Sequence, residues 1–245
     1  MTTTRYRLEP HALSDRIRGK LLFIPATGAF AVALLRPPRG TELWIGDSHA
    51  MSSIRSVTNS MFMRAPGGRF VLRAGARLMF SLARDGFPPR VTRVARLVGA
   101  VGRRGTFVPV FSAGEIDVRA HLAEHLDDSF EFVAAYVQRC VELADVLKAE
   151  RLGILVPPPP VDAPVDEVWF PIVGTIEERV EAHRRVREAL IEAVAAVPHA
   201  ELLDATAALA DEAGAMPVEL TLDGSHANLE AVARIEAHLA TARRS

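Results

Sequence analysis

A serine follows the first predicted strand in the run Gly46-Asp47-Ser48-His49. A serine at a strand-to-helix turn exposes its hydroxyl, and its backbone N–H lies near a helix N-terminus, where negative charge is favoured. Ser48 is therefore a candidate nucleophile and also a candidate oxyanion donor. The alternative is structural, because Asp47 or Ser48 could serve only as a helix cap.

A second polar run, Asp223-Gly224-Ser225-His226, lies near the other end of the chain. A neutral serine hydroxyl is a weak nucleophile and needs a base. A histidine supplies that base when a carboxylate holds its other ring nitrogen. Asp223 and His226 can form this pair within one turn, which makes them candidates for the base relay of Ser48. The alternative is a capping Asp and a surface His before the last predicted helix.

The order of these two runs, on an alternating pattern of strands and helices, resembles the SGNH (GDSL-like) hydrolase and acyltransferase family. The Gly-Asp-Ser run matches the first block of that family, the Asp-x-x-His run matches its last, and the resemblance spans roughly Thr41 to His226. It implies a three-layer, flavodoxin-like α/β fold with a central parallel sheet of about five strands. It also implies acyl transfer by Ser48, His226 and Asp223, without a metal or a resident cofactor.

The same resemblance assigns donors to an oxyanion site. The N–H of Ser48 is one, and the second block of the family supplies a glycine, for which Gly75 is the candidate and Gly68 the alternative. The third block is usually Gly-x-Asn-Asp, but Gly114–Asp117 reads Gly-Glu-Ile-Asp, so an isoleucine replaces the asparagine. Because a missing oxyanion donor costs about 3–4 kcal/mol, we expect a replacement, and Arg119 is the candidate.

Four ionisable side chains alternate through this third block and the residues after it. If the segment is extended, they point to the same side and form a polar cluster for the hydroxyls of a sugar. The candidate substrate-binding residues are Glu115, Asp117, Arg119 and His121. The alternative is an internal ion-pair network that supports the loop. His121 and His125 also have the spacing of metal ligands on a helix, but no third ligand follows at a recognisable spacing.

Short apolar runs predict strands, and amphipathic patterns predict helices between them. The predicted strands are Thr41–Ile45, Phe70–Arg73, Thr106–Ser112, Gly153–Val156 and Ala200–Leu203. The predicted helices are Ala76–Arg84, Asp127–Arg151, Ile176–Val197 and Asn228–Ala242. This alternation indicates a parallel sheet with helices on both faces, whose ligand site lies beyond the carboxyl ends of the strands. We expect the proline-rich stretch Pro157–Pro171 to be a loop at that edge.

The composition favours a single α/β domain, with residues 1–40 as an N-terminal extension packed on it. The chain has 245 residues, 49% of them hydrophobic, which is enough for a large core. Its 29 basic and 30 acidic residues nearly balance, which argues against a nucleic-acid binder. The single cysteine, Cys140, excludes an intrachain disulfide.

The N-terminal region bears on localisation. Met1–Pro10 carries two arginines and no apolar run, so it does not resemble a secretion signal, and we expect a cytoplasmic protein. The apolar run Leu21–Leu35 is too short to span a bilayer, so we expect no transmembrane segment. We expect this run to be a core helix with a turn or, alternatively, an apolar wall for an acyl chain or a membrane-surface contact. Met61, Phe62 and Met63 would add apolar surface for an acyl chain.

Three functions are compatible with these residues. An esterase or deacetylase passes an acyl group from Ser48 to water, an acyltransferase passes it to a sugar hydroxyl, and a binding protein uses the same pocket without catalysis. The complete set of Ser, His and Asp disfavours the last. The altered third block, the apolar runs and expected access to acyl-CoA favour the transferase. The chain is similar in size and type to SGNH octanoyltransferases of methylglucose lipopolysaccharide synthesis, which implies octanoyl-CoA as co-substrate and a glucosylglycerate-type acceptor.

Overall fold

One six-stranded sheet organises residues 40–51, 62–64, 69–163 and 170–242, which are the part of the chain that the computed structural model describes. Its strands are β1 (Thr41–Gly46), β2 (Phe62–Arg64), β3 (Phe70–Arg73), β4 (Phe107–Ser112), β5 (Leu152–Leu155) and β6 (Ala200–Leu203). Across the sheet the order is β2-β3-β1-β4-β5-β6. Strand β2 is antiparallel to β3, and the other neighbours are parallel. The five parallel strands thus have the predicted flavodoxin-like order.

Helices connect the strands. They are α1 (Met79–Asp85), α2 (Pro89–Val101), α3 (Glu115–Ala120), α4 (Phe132–Val146), α5 (Ile176–Ala195), α6 (Thr206–Leu209) and α7 (Leu229–Ala242). Short 3-10 turns occur at Ser48–Met51, Leu122–His125 and Val218–Leu220. Within the described ranges, no helix combines the length and the apolar character needed to cross a membrane.

Two apolar layers cover the sheet, because successive side chains of a strand point to opposite faces. In β1, Leu43 and Ile45 belong to the larger core, which is completed by α1, α2, α4 and α5. Trp44 lies between them in sequence and faces the other layer, where α7 contributes Leu239. The arrangement is therefore helices, sheet and helix, and the predicted three-layer α/β fold is confirmed.

Helix α2 was not predicted from the sequence. Its buried residues Val91, Ala95 and Val98 have helical spacing, and Pro89 occupies the first turn, where a proline costs no hydrogen bond. Thr92, Arg93 and Arg96 lie between these buried positions in sequence and mask the short apolar stripe. Its burial against the larger core shows that tertiary packing decides the conformation of this segment.

Two predicted helices have different ends in the structure. The helix expected from Ala76 starts at Met79, because the carboxylate of Asp117 accepts the N–H groups of Met79 (2.6 Å) and Phe80 (3.1 Å). The helix expected over Asp127–Arg151 is confined to α4. Strand β5 begins one residue before the predicted Gly153. Because β1, β4, β5 and β6 are parallel, the residues that follow them meet at one edge of the sheet.

Candidate active site

The nucleophile turn lies directly beyond β1. A Cβ on Gly46 would lie 2.0 Å from the carbonyl oxygen of Ser112 in β4, so only glycine permits this close approach of the two strands. The buried carboxylate of Asp47 accepts the N–H of His49 (2.8 Å) and thereby closes the turn over Ser48. Burial raises the pKa of Asp47. The turn therefore presents Ser48 at the carboxyl edge of the sheet.

The second polar run forms a tight loop before α7. Leu222 donates its N–H to the carbonyl of His226 (2.7 Å). One carboxylate oxygen of Asp223 accepts the N–H groups of Ser225 (3.1 Å) and His226 (2.8 Å). The other lies 2.7 Å from Nδ1 of His226. Asp223 thus fixes the loop backbone and the imidazole ring together.

The two polar runs meet at this edge, where Nε2 of His226 lies 2.8 Å from Oγ of Ser48. Burial alone would raise the pKa of Asp223, but its hydrogen bonds with His226 and the loop lower it to about 2. An ionised carboxylate only accepts, so Nδ1 of His226 carries the proton and donates it to Asp223. Nε2 then accepts the hydroxyl hydrogen of Ser48. The predicted Ser48, His226 and Asp223 are therefore brought into the geometry of a catalytic triad.

Backbone N–H groups are the candidate oxyanion donors. Ser48 begins a 3-10 turn, and Ala74 donates its N–H to the carbonyl of Gly46 (2.6 Å), which places Gly75 beside the nucleophile turn. Gly75 has a φ of +90°, a conformation that favours glycine. The side chain of Ile116 is buried and cannot donate a hydrogen bond. The roles of Ser48 and Gly75 as donors stay predictions, and Gly68 lies outside the described residues.

The third block is helical, and the expectation of an extended segment is wrong. Gly114 has a φ of +112° and leads into α3. On a helix, residues four apart are neighbours, so Glu115 and Arg119 form an ion pair with Nε and Oε1 2.7 Å apart. Asp117 is instead turned into the core, where it caps α1.

The four predicted substrate-binding residues consequently separate. Glu115 and Arg119 remain together, whereas Asp117 is buried and His121 lies beyond the end of α3 against Phe80. Arg119 is held by Glu115 and by the carbonyl of Phe170. Its role as the oxyanion donor that replaces asparagine stays a prediction.

Glu115 joins the two catalytic runs. Its Oε1 accepts the hydroxyl of Ser225 (3.1 Å), and its Oε2 lies 3.1 Å from Nε2 of His49. Burial would raise the pKa of Glu115, but His49 and Arg119 hold it well below its usual range. His49 and Ser225 were not proposed from the sequence. The available signal was an ionisable side chain directly after the candidate nucleophile.

The ring of His49 stacks on the ring of His226, with centroids 5.0 Å apart and planes inclined by 12°. Burial would lower the pKa of His49, but the charge of Glu115 and the hydrogen bond with it raise the pKa above its ordinary value. His49 is 4% exposed. A second histidine with its own carboxylate therefore lies against the candidate base.

Two clefts flank the catalytic loop. The apolar cleft is lined by residues that include His49, Leu155, Ala205, Leu209, Ala227 and Ile235. The charged cleft is lined by residues that include Glu115, Arg119, Arg179, Gly224 and Ser225. Pro158 and Pro159 line both clefts. The run Pro157–Pro160 thus forms a wall beside the triad, and none of these four residues has a backbone N–H donor.

The metal alternative has partial geometric support only. The rings of His121 and His125 lie 4.5 Å apart, and Nδ1 of His125 pairs with Asp128 at 3.0 Å. Among the residues that the structure describes, no three His, Cys, Asp or Glu side chains are grouped to hold a metal ion. The apolar run Leu21–Leu35 and Met61 lie outside the described residues.

Comparison with known proteins identifies the fold. No family model and no curated protein matches the sequence. The structure is similar to that of a GDSL-like lipase from Bacteroides thetaiotaomicron, with a TM-score of 0.51, 16% identity and coverage of 90% of this chain and 97% of the lipase. It is also similar to an aryl esterase from M. smegmatis, with a TM-score of 0.51, 12% identity and coverage of 84% and 98% respectively. At these identities the likeness establishes the SGNH-type α/β fold.

Proposed function

We propose that this protein is a serine-dependent acyl-transfer enzyme that acts through an acyl-Ser48 intermediate. The observation that carries the proposal is the continuous chain of Ser48 Oγ, His226 Nε2, His226 Nδ1 and Asp223 Oδ2, with contacts of 2.8 and 2.7 Å. A serine that is hydrogen-bonded to a histidine, itself oriented by a carboxylate, is the arrangement that activates a hydroxyl for attack on a carbonyl.

The chemical steps follow from this geometry. His226 takes the hydroxyl proton of Ser48 as Oγ bonds to the carbonyl carbon of an ester or thioester. The carbonyl oxygen gains negative charge, which the N–H groups of Ser48 and Gly75 would stabilise. Collapse of this intermediate breaks the bond to the alcohol or thiol, which receives the proton from His226. A second hydroxyl then repeats the sequence and releases the acyl group from Ser48.

The finer proposal is transfer of a medium-chain acyl group, octanoyl in our preferred case, from acyl-CoA to a glucosylglycerate-type sugar. The apolar cleft supports the choice of donor, because its lining includes His49 and Ala227, which directly follow Ser48 and His226 in sequence. The charged cleft lies on the other side of the proline wall and supports a polar acceptor, with Glu115 and Arg119 in its lining. The assignments of the donor and of the acceptor to these two clefts are proposals that the likeness of fold does not test.

The second candidate is an esterase that passes the same acyl group to water. The triad serves both reactions equally, since they share the acyl-enzyme step. The similar structures include proteins named as a lipase and an aryl esterase, which favours this alternative by analogy of fold. The two candidates differ only in whether a sugar or water reaches the acyl-Ser48 carbonyl.

Intact-mass analysis after incubation with acyl-CoAs from acetyl to decanoyl tests the proposal. We expect an adduct of the acyl mass on the native protein and none on Ser48→Ala. A buried methylene contributes about 0.8 kcal/mol. The second-order rate constant for acylation, measured at low acyl-CoA concentration, should therefore rise about fourfold per methylene until the apolar cleft is full. Ala205→Leu, which narrows this cleft, should move the optimum to a shorter chain. Equal acylation of Ser48→Ala would overturn the assignment of the nucleophile.

A thiol-release assay distinguishes the two candidates. A transferase should release CoA much faster when a glucosylglycerate-type sugar is present, and mass spectrometry should find the ester on that sugar. If release is equally fast without sugar and only free acid accumulates, the enzyme is an esterase.

A further inference from the structure

The catalytic edge contains two carboxylate–histidine pairs rather than one. In the first, Asp223 holds His226, whose Nε2 lies 2.8 Å from Oγ of Ser48. In the second, Glu115 holds His49, with Oε2 and Nε2 3.1 Å apart. The two rings are stacked nearly parallel, with 5.0 Å between their centroids. The proposed mechanism uses the first pair and leaves the second without a role.

The position of the second pair is fixed from several directions. Asp47 binds the backbone N–H of His49 (2.8 Å), and Glu115 binds its ring. Glu115 also binds Ser225, which lies between Asp223 and His226 in the catalytic loop. Glu115 and His49 therefore connect the turn that carries the nucleophile to the loop that carries the base. Any movement of one relative to the other would break a buried hydrogen bond.

The charges around the stack favour a proton on His49. The ionisable groups that face the two rings are Asp47, Glu115, Arg119 and Asp223, with Arg73 beyond Asp47. The pair of Glu115 and His49 is buried, and an uncompensated buried carboxylate is unfavourable. Burial lowers the pKa of His49, but Glu115 more than offsets this effect. The carboxylate of Glu115, 3.1 Å from Nε2 of His49, therefore favours the protonated form of this histidine.

We propose that His49, held by Glu115, is a positioning residue that fixes the ring plane of His226 and opposes its premature protonation. The inference rests on the proposed function, because it assigns His226 the role of base. A positive charge 5.0 Å from a second imidazole makes that imidazole harder to protonate from solvent.

The pH dependence of kcat/KM tests this inference, with a p-nitrophenyl ester of octanoic acid read at the isosbestic wavelength of nitrophenol. His49→Phe retains a flat ring and removes the charge, whereas His49→Gln removes both. The acid limb is the part of the pH profile in which kcat/KM falls as the pH is lowered. In both variants we expect its midpoint to move up by about one pH unit, which lies between the shifts that Coulomb's law gives for a charge in water and for a charge near a protein surface. His49→Phe should retain more of kcat than His49→Gln, because the stack persists.

Matched variants isolate the cause. Glu115→Gln removes the partner of His49 and should shift the acid limb in the same direction, with no further shift when it is combined with His49→Phe. If Glu115→Gln does not fold, the two His49 variants carry the test. His125→Gln alters an exposed histidine that pairs with Asp128 and should leave the acid limb in place.

The outcomes separate this inference from the proposed function. If Ser48→Ala abolishes ester cleavage but the acid limbs of both His49 variants coincide with that of the native enzyme, the role of His49 is refuted and the triad stands. If Ser48→Ala retains activity, the proposed function fails, and the inference fails with it.

Discussion

Replacement of Asp223 by asparagine probes how much of the activity depends on the carboxylate that holds His226. The amide oxygen can still accept the N–H groups of Ser225 and His226, so the loop backbone keeps its hydrogen bonds. What disappears is the negative charge 2.7 Å from Nδ1 of His226. Asp223→Asn is therefore a nearly isosteric change that acts on the base alone.

The size of the effect follows from the environment of Asp223. Its hydrogen bonds, chiefly those with His226, lower its pKa from 3.8 to about 2 against the effect of burial. This lowering of the pKa corresponds to roughly 2 kcal/mol in favour of the ionised carboxylate beside His226. If the transition state loses this free energy when the charge is removed, the rate of acylation falls between tenfold and a hundredfold. The amide NH₂ also favours the tautomer of His226 that cannot accept a proton from Ser48, which raises the expected loss in kcat to as much as about 10⁴.

Single-turnover acylation by a medium-chain acyl-CoA, followed by intact mass, measures this loss without interference from later steps. Thermal unfolding should show a folded protein. Asp211→Asn is the matched control, because Asp211 also accepts two backbone N–H groups in a loop but holds no histidine. A loss of less than tenfold in the folded Asp223→Asn variant, or an equal loss in Asp211→Asn, would refute the assigned relay. Since the pKa of Asp223 is depressed, its contribution to stability is complete above about pH 4 and is lost as the pH falls towards 2.

Three further predictions concern the surroundings of the triad. Asp117→Ala should lower the free energy of unfolding by about 2–4 kcal/mol in chemical denaturation, because it strands the N–H groups at the start of α1, including that of Met79; a change below about 0.5 kcal/mol would contradict this role. Because the pKa of His49 is raised, the stability that this residue contributes is present below about pH 6.5 and is lost as the pH rises through the raised value. In His49→Gln, the melting temperature should therefore fall less steeply than in the native protein as the pH rises through this range. A metal chelator should leave ester cleavage unchanged; loss of activity that a divalent metal restores would direct attention to His121 and His125.

The sheet and the triad were predictable because they depend on local signals. All five predicted strands differ from the observed ones by at most one residue at either end, and the short antiparallel strand β2 was not predicted. Short apolar runs bounded by glycine, proline or polar residues mark buried strands of a parallel sheet. The Gly-Asp-Ser and Asp-x-x-His runs then lie at the correct edge, because parallel strands end together.

The third block was misread because alternation of polar residues does not distinguish a strand face from a short helix. Six residues are too few for a clear period, and the turn at Gly114, with its positive φ, cannot be read from sequence. Asp117 was expected to bind substrate. It is instead buried, and its carboxylate caps the start of α1. The partnership of His49 and Glu115 was equally inaccessible, since it joins two elements that are distant in sequence.

The hydrogen bond between Ser48 and His226 joins residues 178 positions apart. A contact of this separation closes a loop that contains most of the sheet, and such contacts form late because their entropic cost must be offset by earlier pairings. A chain in which the turn after β1 and the loop before α7 have not yet come together therefore has no serine hydroxyl hydrogen-bonded to His226, whatever secondary structure it has formed. Recovery of the proposed acylation during refolding would report this long-range contact rather than the formation of helices and strands.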